Sequence, residues 1–373
     1  MRFFLSIFLF FYITQGQARD LFEYQRPAWS LGMGGVYIPF PRENDMPTAN
    51  AAYLSRVKSI GLEAFNVEFK GPGLADIEEF TSLPPLANES DINSYMGKPI
   101  HTGLEARASF IAPNVGLSGF SNYSLRTYLS NPLVPEWYVQ YFNDYGFTLA
   151  IAKEIMTDLS AGIAIKRVQR TGGETTFGFD KIQDYISTQD SNVILGELDD
   201  SGLGYGIDLS LLYRKSDSDS SPIATVVWKD VGMTTFQAGA GENNPPPLRD
   251  NLALGLGYLW DGPGMDLKAG FEYRHILTTK VQIGKKLHMG VEFSLPLVDI
   301  RAGMSQGYMT YGVGLDLWVF RFEAAQFTEE FGVYPGQTPE SRVQVSLTLD
   351  LTVDANFDFS SKSRNRVKLK QRR

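Results

Sequence analysis

Hydrophobic and polar residues alternate with a period of two through most of this chain. In the stretch 265–274, apolar side chains occupy the odd positions, and charged residues or glycine occupy the even positions. The same alternation recurs in 287–293 and 343–351. Such alternation is typical of β-strands with one apolar and one polar face. We therefore expect an all-β protein.

The alternation predicts about fourteen strands. Their expected spans are 59–69, 101–112, 115–128, 139–153, 156–169, 202–214, 221–232, 250–261, 264–276, 285–295, 297–305, 309–317, 319–328 and 341–354. The alternation changes phase within the first span, which predicts a β-bulge near Ala64.

The connections between these strands differ in length on the two sides of the expected sheet. Those after odd-numbered strands are mostly long, such as 70–100 and 170–201, and those after even-numbered strands are mostly tight. The short connection near Gln306 is the exception. Tight turns on one side and long loops on the other are typical of an outer-membrane β-barrel of a Gram-negative bacterium. An even strand number predicts that both mature termini are periplasmic.

Charged residues of the later strands share one face, and the other face carries none. A charge that faces lipid at the bilayer midplane costs about 2–4 kcal/mol, so we expect these side chains to point into the lumen. The predicted lumenal charge network comprises Lys268, Glu272, Arg274, His288, Glu292, Arg301, Asp316, Arg321 and Glu323. Paired charges there would leave no wide water channel.

The N-terminal residues 1–18 have the features of a signal peptide. Arg2 precedes the apolar run 3–13, and small residues follow at 16–18. No later segment reaches eighteen apolar residues, so no transmembrane helix is expected. The mature chain would begin at Arg19. The net charge of −8 argues against a nucleic-acid partner.

Three glycines, Gly32, Gly34 and Gly35, raise the question of a phosphate-binding loop. Their spacing matches neither the dinucleotide-binding nor the P-loop pattern, and prolines follow in place of a helix. The segment 19–58 has no place in the barrel wall, and a barrel of fourteen strands encloses more space than its own side chains fill. We therefore expect 19–58 to form a lumenal plug, in which glycine permits tight turns close to the wall.

The stretch 29–57 resembles the plug of the fatty-acid-transporter (FadL) superfamily of outer-membrane barrels, which includes PorV-like members. Matching residues are Leu31, Gly32, Met33, Gly34, Gly35, Asn50, Ala52 and Leu54. Ala51 stands where the family usually has proline. Residues 222–328 also resemble the later hairpins of the family. The resemblance implies a plug at 19–58, a barrel at 59–354 and a tail at 355–373.

The resemblance implies passage of a small hydrophobic molecule across the outer membrane, by capture among the outer loops and movement past the plug. The alternative is a PorV-like scaffold that docks a secreted, surface or periplasmic partner protein. A transporter should have an apolar cavity beneath the loops 70–100 and 170–201. A scaffold should have a closed lumen and an exposed apolar patch on its outer loops.

Catalytic and metal sites have little support in the sequence. The chain has three histidines and no cysteine, and it lacks the GxSxG and HExxH motifs. If the hairpin 264–295 turns near residue 280, Glu272 faces His288, which we interpret as part of the charge network. The acidic stretch 196–202 does not follow calcium-loop spacing. We therefore expect no enzyme activity, no metal and no cofactor; outer-membrane lipid is the one certain neighbour of such a barrel.

The C-terminal residues 361–373 contain seven lysines and arginines and no acidic residue. This basic tail includes Arg364, Arg366, Lys368, Lys370, Arg372 and Arg373. Two interpretations remain open: a solvated chain end, or a periplasmic arm that binds an anionic partner.

A truncation after Ser360 tests the interpretation as a binding arm. The last expected strand ends before the tail, so the truncated barrel should assemble and keep its heat-modifiable gel mobility. It should lose any periplasmic partner that crosslinks to the full-length chain. A barrel that fails to assemble would instead show that the tail acts in folding or targeting.

Overall fold

The computed structural model of the chain describes residues 23, 26–78, 82–83, 86–215, 220–239, 243–262, 264–279 and 281–351. The predicted signal peptide and the predicted basic tail lie outside these residues.

Fifteen strand segments occur within the described residues. Their bounds are β1 Gly61–Pro72, β2 Ile100–Ala112, β3 Val115–Ser130, β4 Glu136–Met156, β5 Leu159–Phe177, β6 Ser201–Arg214, β7 Ser220–Lys229, β8 Phe236–Ala238, β9 Asn251–Gly262, β10 Met265–Tyr273, β11 Leu287–Ser294, β12 Val298–Ser305, β13 Tyr308–Leu317, β14 Phe320–Glu330 and β15 Pro339–Asp350. The register of β1 shifts between Glu63 and Phe65, at the position of the predicted bulge.

The strands form one closed sheet. Neighbouring strands pair antiparallel, and β1 pairs with β15 to close the ring. The segments β7 and β8 both pair with β6 and together make one interrupted wall strand. The wall is therefore a closed antiparallel barrel of fourteen strands, which confirms the predicted fold class.

The interruption of this wall strand is a bulge. Trp228 opposes Leu209 of β6, and Phe236 opposes Gly204, so the seven residues 229–235 face only four residues of β6. The backbone turns at Asp230, Gly232 and Met233, all with positive φ. We call residues 230–235 the strand-seven bulge. The sequence predicted an uninterrupted strand over 221–232, so it missed both the bulge and β8.

The two faces of the wall differ as the alternation predicts. Outward side chains such as Leu256 and Val313 are apolar and exposed, whereas inward side chains such as Glu272 and Arg301 are charged and buried. The wall is taller than predicted at β4 and β5, which contain 21 and 19 residues. About 9–11 residues suffice for a tilted strand to cross a bilayer. The predicted strands were shorter there because polar residues on both faces hide the alternation.

The barrel has a long-loop end, where the long connections lie, and a tight-turn end opposite to it. Short helices lie in the N-terminal segment and the long connections: Ala28–Gly32, Glu43–Asp45, Met46–Ala49, Ala51–Arg56, Glu89–Asp91, Ile92–Tyr95, Phe179–Thr188, Asn192–Leu195 and Ile283–Lys286. Among the described residues, no helix combines the length and the apolarity needed to cross a membrane.

The N-terminal segment runs through the barrel from one end to the other. Glu23 contacts Arg274 at the long-loop end, and Arg56 contacts the backbone of Arg214 at the tight-turn end. Nearly all residues between Pro27 and Val57 are buried. This segment is therefore a lumenal plug. The side on which the mature N terminus lies concerns residues before Glu23, which are not described, and stays a prediction.

Candidate functional site

Glycines of the plug lie directly against the backbone of the wall. A Cβ atom on Gly32 would lie 2.6 Å from the Cα of Gly312 in β13. A Cβ atom on Gly34 would lie 2.8 Å from the carbonyl carbon of Met289. Real Cβ atoms do not approach other atoms so closely, and Gly34 also has a φ of 70°. Only glycine permits this approach of the plug to the wall.

Hydrogen bonds hold the same turn of the plug in place. The Gly34 N–H donates to Thr310 Oγ1 at 2.9 Å, and the Thr310 hydroxyl donates to the Gly32 carbonyl at 3.1 Å. The imidazole of His288 lies beside Gly35, with Nδ1 3.2 Å from the Gly34 carbonyl oxygen. The plug thus contacts β11 and β13 through paired polar groups rather than through apolar packing alone.

The other predicted plug residues lie in its interior. Met33 is fully buried in the largest apolar cluster of the plug, together with Leu54. The side-chain amide of Asn50 donates to the Ile38 carbonyl at 3.0 Å and to Thr225 Oγ1 at 2.7 Å. Asn50 therefore joins two parts of the plug to β7.

Six charged groups form a lumenal network near the tight-turn end, and one of them is Asp299, which lies 2.7 Å from Arg301. Arg301 pairs with Glu292 at 2.5 Å and with Glu323 at 3.2 Å, and Lys268 pairs with Glu292 at 2.6 Å. The plug adds Arg42, which pairs with Glu323 at 2.7 Å. Wall and plug thus complete one ion-pair network, and Arg42 is a member that the sequence prediction missed.

The other predicted network residues fall into separate groups. Asp316 and Arg321 pair with each other at 2.5 Å and are partly exposed at the tight-turn end. Glu272 and Arg274 pair at 2.6 Å and lie against the plug, where Glu272 accepts the Ile38 N–H at 2.6 Å. The sequence prediction placed these two ion pairs in one network, and the structure shows that they are separate.

Glu272 and His288 face each other across β10 and β11, as the predicted hairpin requires. Their side chains have different partners, because His288 Nδ1 lies 3.0 Å from the hydroxyl oxygen of Ser305. Ser305 opposes His288 on β12, and this neighbour was not foreseen from the sequence. The plug covers all three residues.

Glu23 fastens the beginning of the described plug at the long-loop end. Its carboxylate lies 2.7 Å from Arg274 and 2.8 Å from His275 Nε2. Burial raises the pKa of Glu23, but Arg274, His275 and Arg26 outweigh this effect and hold it well below its usual value. The carboxylate therefore stays ionised at neutral pH.

A cavity of about 40 Å³ lies between the plug and the long-loop end, with room for about one or two waters. Most of its lining is polar: Glu23, Arg26, Lys70, His101, Asn122, Ser124, Glu329, Arg342 and Gln344, with Leu31 and Phe327. This space is too small and too polar for a hydrophobic ligand.

An apolar cluster lies in the lumen nearer to the strand-seven bulge. It consists of Phe120, Val168, Phe236 and Leu248, which we call the upper-lumen cluster. Phe236 follows the bulge directly, and Leu248 forms a β-bridge with Thr234 inside the bulge. This cluster was not predicted from the sequence, because its members come from four separate segments.

Room for the cluster comes from β6. Gly202 and Gly204 face inward, and a Cβ atom on either would lie within 3.0 Å of Phe236. Two ion pairs close the bulge on the side nearer to the tight-turn end: Lys166 pairs with Asp208 and Asp230, at 2.9 Å each.

The long connections carry a second apolar surface, outside the wall. Ile182 and Ile194 pack against Leu129 and Val139, whose side chains point outward from β3 and β4. The transport hypothesis expects an apolar cavity beneath these loops. The described residues instead place the apolar side chains of the loops on the outer face of the tall part of the wall.

The described residues contain no group of three or more histidines or carboxylates that could hold a metal ion. The predicted tail residues lie outside the description, so their binding role stays a prediction.

Replacing Gly34 by alanine tests the fit between plug and wall. The added Cβ atom would collide with Met289, and a positive φ costs alanine about 1–3 kcal/mol. We expect a Gly34→Ala barrel to assemble with a plug that is cut faster by protease than the wild-type plug. Gly119→Ala is a matched control, because no atom lies closer than 4.0 Å to the added Cβ. Equal cleavage of both variants would contradict the proposed fit.

Planar-bilayer recording tests the closed lumen. The plug is buried in the lumen and joined to the wall by ion pairs, so the protein should show no steady open conductance. A stable pore on the nanosiemens scale would show that the lumen conducts. Recording in high-salt buffer is a useful second condition, because salt weakens ion pairs that have exposed members and so tests whether those pairs keep the lumen closed.

Two solved structures share the fold of this chain. One is the CymD monoaromatic hydrocarbon channel, with a TM-score of 0.51, 10% sequence identity, and coverage of 88% of this chain and 98% of the channel. The other is a deletion mutant of the TodX monoaromatic hydrocarbon channel, with a TM-score of 0.50, 12% identity, and coverage of 88% and 98%. No protein-family model and no curated protein matches the chain. These similarities show the same fold as that of the two channels, an antiparallel β-barrel that fills most of the chain.

Proposed function

We propose that this protein passes a small hydrophobic molecule across the outer membrane, and that the molecule leaves the lumen sideways through the strand-seven bulge. The observation that carries the proposal is the position of the upper-lumen cluster, directly inside the one long interruption in the described ladders of the wall. The sideways exit does not depend on the movement of the whole plug.

The described surfaces favour this route over passage along the barrel axis. An apolar molecule on the axis would have to displace a plug that is joined to the wall by ion pairs, such as Arg42 with Glu323. Separating buried charges costs several kcal/mol per ion. Beside the bulge, Phe236 and Leu248 offer apolar contacts, and the outward side chains Tyr205 and Met233 are exposed toward lipid.

The bulge is closed in this structure, and few contacts hold it closed. Four residues of β6, 205–208, lack regular pairing with strand seven, although the Val231 N–H donates to Ile207. The polar seal consists of Lys166 with two aspartates. Movement of 230–235 would break this seal and few backbone hydrogen bonds.

The similar solved structures support hydrophobic cargo for this fold, since both are monoaromatic hydrocarbon channels. The alternative is the scaffold that docks a partner protein. A closed lumen fits both functions, and the apolar layer of the long loops is already covered by the wall, which does not favour a scaffold.

A disulfide across the bulge tests the exit. The natural chain has no cysteine, so a Gly206→Cys, Thr234→Cys pair would be the only thiols. The Cβ position of residue 206 lies directly beside the side chains of Thr234 and Lys166, so the two thiols would be adjacent once Lys166 shifts. We expect oxidation to abolish uptake of a radiolabelled monoaromatic hydrocarbon by cells that carry the variant, and a reducing agent to restore it.

The matched control is a Leu211→Cys, Val226→Cys pair, which opposes across regular ladder between the same strands. Its oxidation should leave uptake unchanged. Uptake by cells that carry the oxidised bulge variant would disprove the sideways exit but would not disprove transport itself. Wild-type protein that gives no uptake above barrel-free cells would disprove transport of this cargo.

A further inference from the structure

An arginine lies on the lipid-facing side of the wall. Arg167 of β5 opposes Phe147 of β4 and Tyr205 of β6, and residues that oppose each other in a sheet share a face. Phe147 and Tyr205 are 47% and 65% exposed on the outer surface. Arg167 therefore points outward, and its chain neighbour Lys166 points into the lumen.

Charges are rare on this surface. The residues of β4, β5 and β6 are all described, and the charged side chains at their outward positions are Arg167 and Lys153. Lys153 lies near the tight turn after β4. Arg167 has no carboxylate partner among the residues that the structure describes.

Arg167 marks a boundary along the outer face of β5. The outward residues nearer to the tight-turn end, from Leu159 to Ile165, are apolar, and those beyond Arg167 are Gln169 and Thr171. Eight residues separate Leu159 from Arg167, about 26 Å along a strand, or about 20 Å of height at the usual tilt. The apolar band of such a barrel is about 25 Å tall. Arg167 therefore lies near the upper edge of the hydrocarbon.

Aromatic residues lie at the same level on the neighbouring strands. Tyr145 and Tyr205 are 51% and 65% exposed, and beyond them the outward residues turn polar at Asn143 and Ser201. Tyrosines in such a row are typical of the boundary between hydrocarbon and headgroups. A guanidinium at this level can extend along its stem into the headgroup layer.

We propose that Arg167 binds the phosphate of a phosphorylated glycolipid in the outer leaflet of the outer membrane. Barrels of the bacterial outer membrane have their longer loops on the extracellular side, which would place Arg167 in the leaflet that carries this lipid. A guanidinium presents parallel N–H donors that match phosphate oxygens. Tyr145 and Tyr205 flank it with exposed aromatic surface for the sugar and acyl regions.

Lipid titration of the full-length protein tests this site. Purified barrel in mild detergent would be titrated with diphosphoryl lipid A, and bound lipid would be counted by native mass spectrometry. Arg167→Gln should weaken binding about fivefold, the effect of losing one basic residue near an anionic headgroup. Arg167→Lys should lose less, because the positive charge remains.

Controls separate a specific site from general attraction. Lys153→Gln removes the same charge at the other edge of the wall and should leave lipid A binding within twofold of wild type. Phosphatidylethanolamine and inorganic phosphate should not distinguish Arg167→Gln from wild type. Unchanged heat-modifiable mobility establishes that each variant is folded. Equal lipid A binding by folded Arg167→Gln and wild type, or equal losses in both glutamine variants, would overturn the proposal.

Discussion

The high cost of a charge in hydrocarbon governs this structure. Because charged side chains of the wall strands point mostly inward, the lumen contains many buried charges. The plug supplies further counter-ions for these charges and fills part of the lumen. Four charged residues of the plug each pair with a charge of the wall: Arg42 with Glu323, Asp45 with Arg107, Arg26 with Glu329 and Glu23 with Arg274. A neutral plug of the same shape would leave each of these four wall charges with its wall partner alone, as Glu323 with Arg301 and Arg107 with Glu63.

Backbone contact is the second condition for this plug. Plug residues 32–34 occupy the space that a Cβ atom would need on the wall glycines at 290, 303 and 312. Neither the wall nor the plug can therefore carry a side chain at this contact. Such a contact has little tolerance for sliding, because any shift brings backbone atoms into collision. This argues that a route for cargo is easier to open away from this contact, and the upper-lumen cluster beside the strand-seven bulge consists of wall and loop residues.

The sequence was sufficient to predict the barrel, its strand number and the existence of a plug, because period-two alternation and segregated loop lengths are local or regular signals. It also placed Glu272 opposite His288, since the register of a hairpin follows from its turn. It did not predict Arg42 or Ser305 as partners of wall residues, because these contacts join segments far apart in the chain. The bulge was missed for a different reason. Asp230 and Gly232 are of residue types that continue the period-two alternation of β7, so only the pairing with β6 reveals the three extra residues.

The surroundings of the bulge show that the barrel compensates for it at several points. Inserting residues into a wall strand breaks ladder hydrogen bonds, and an unpaired backbone group facing lipid costs several kcal/mol. Here the Asp230 N–H donates to the Asp208 carboxylate at 2.7 Å, and the Thr234 hydroxyl donates to Asp230 at 2.6 Å. The inward glycines of β6 make room for the returning chain. A barrel that needed only closure could use a regular strand, so this set of compensations around a weak point favours a wall that opens there.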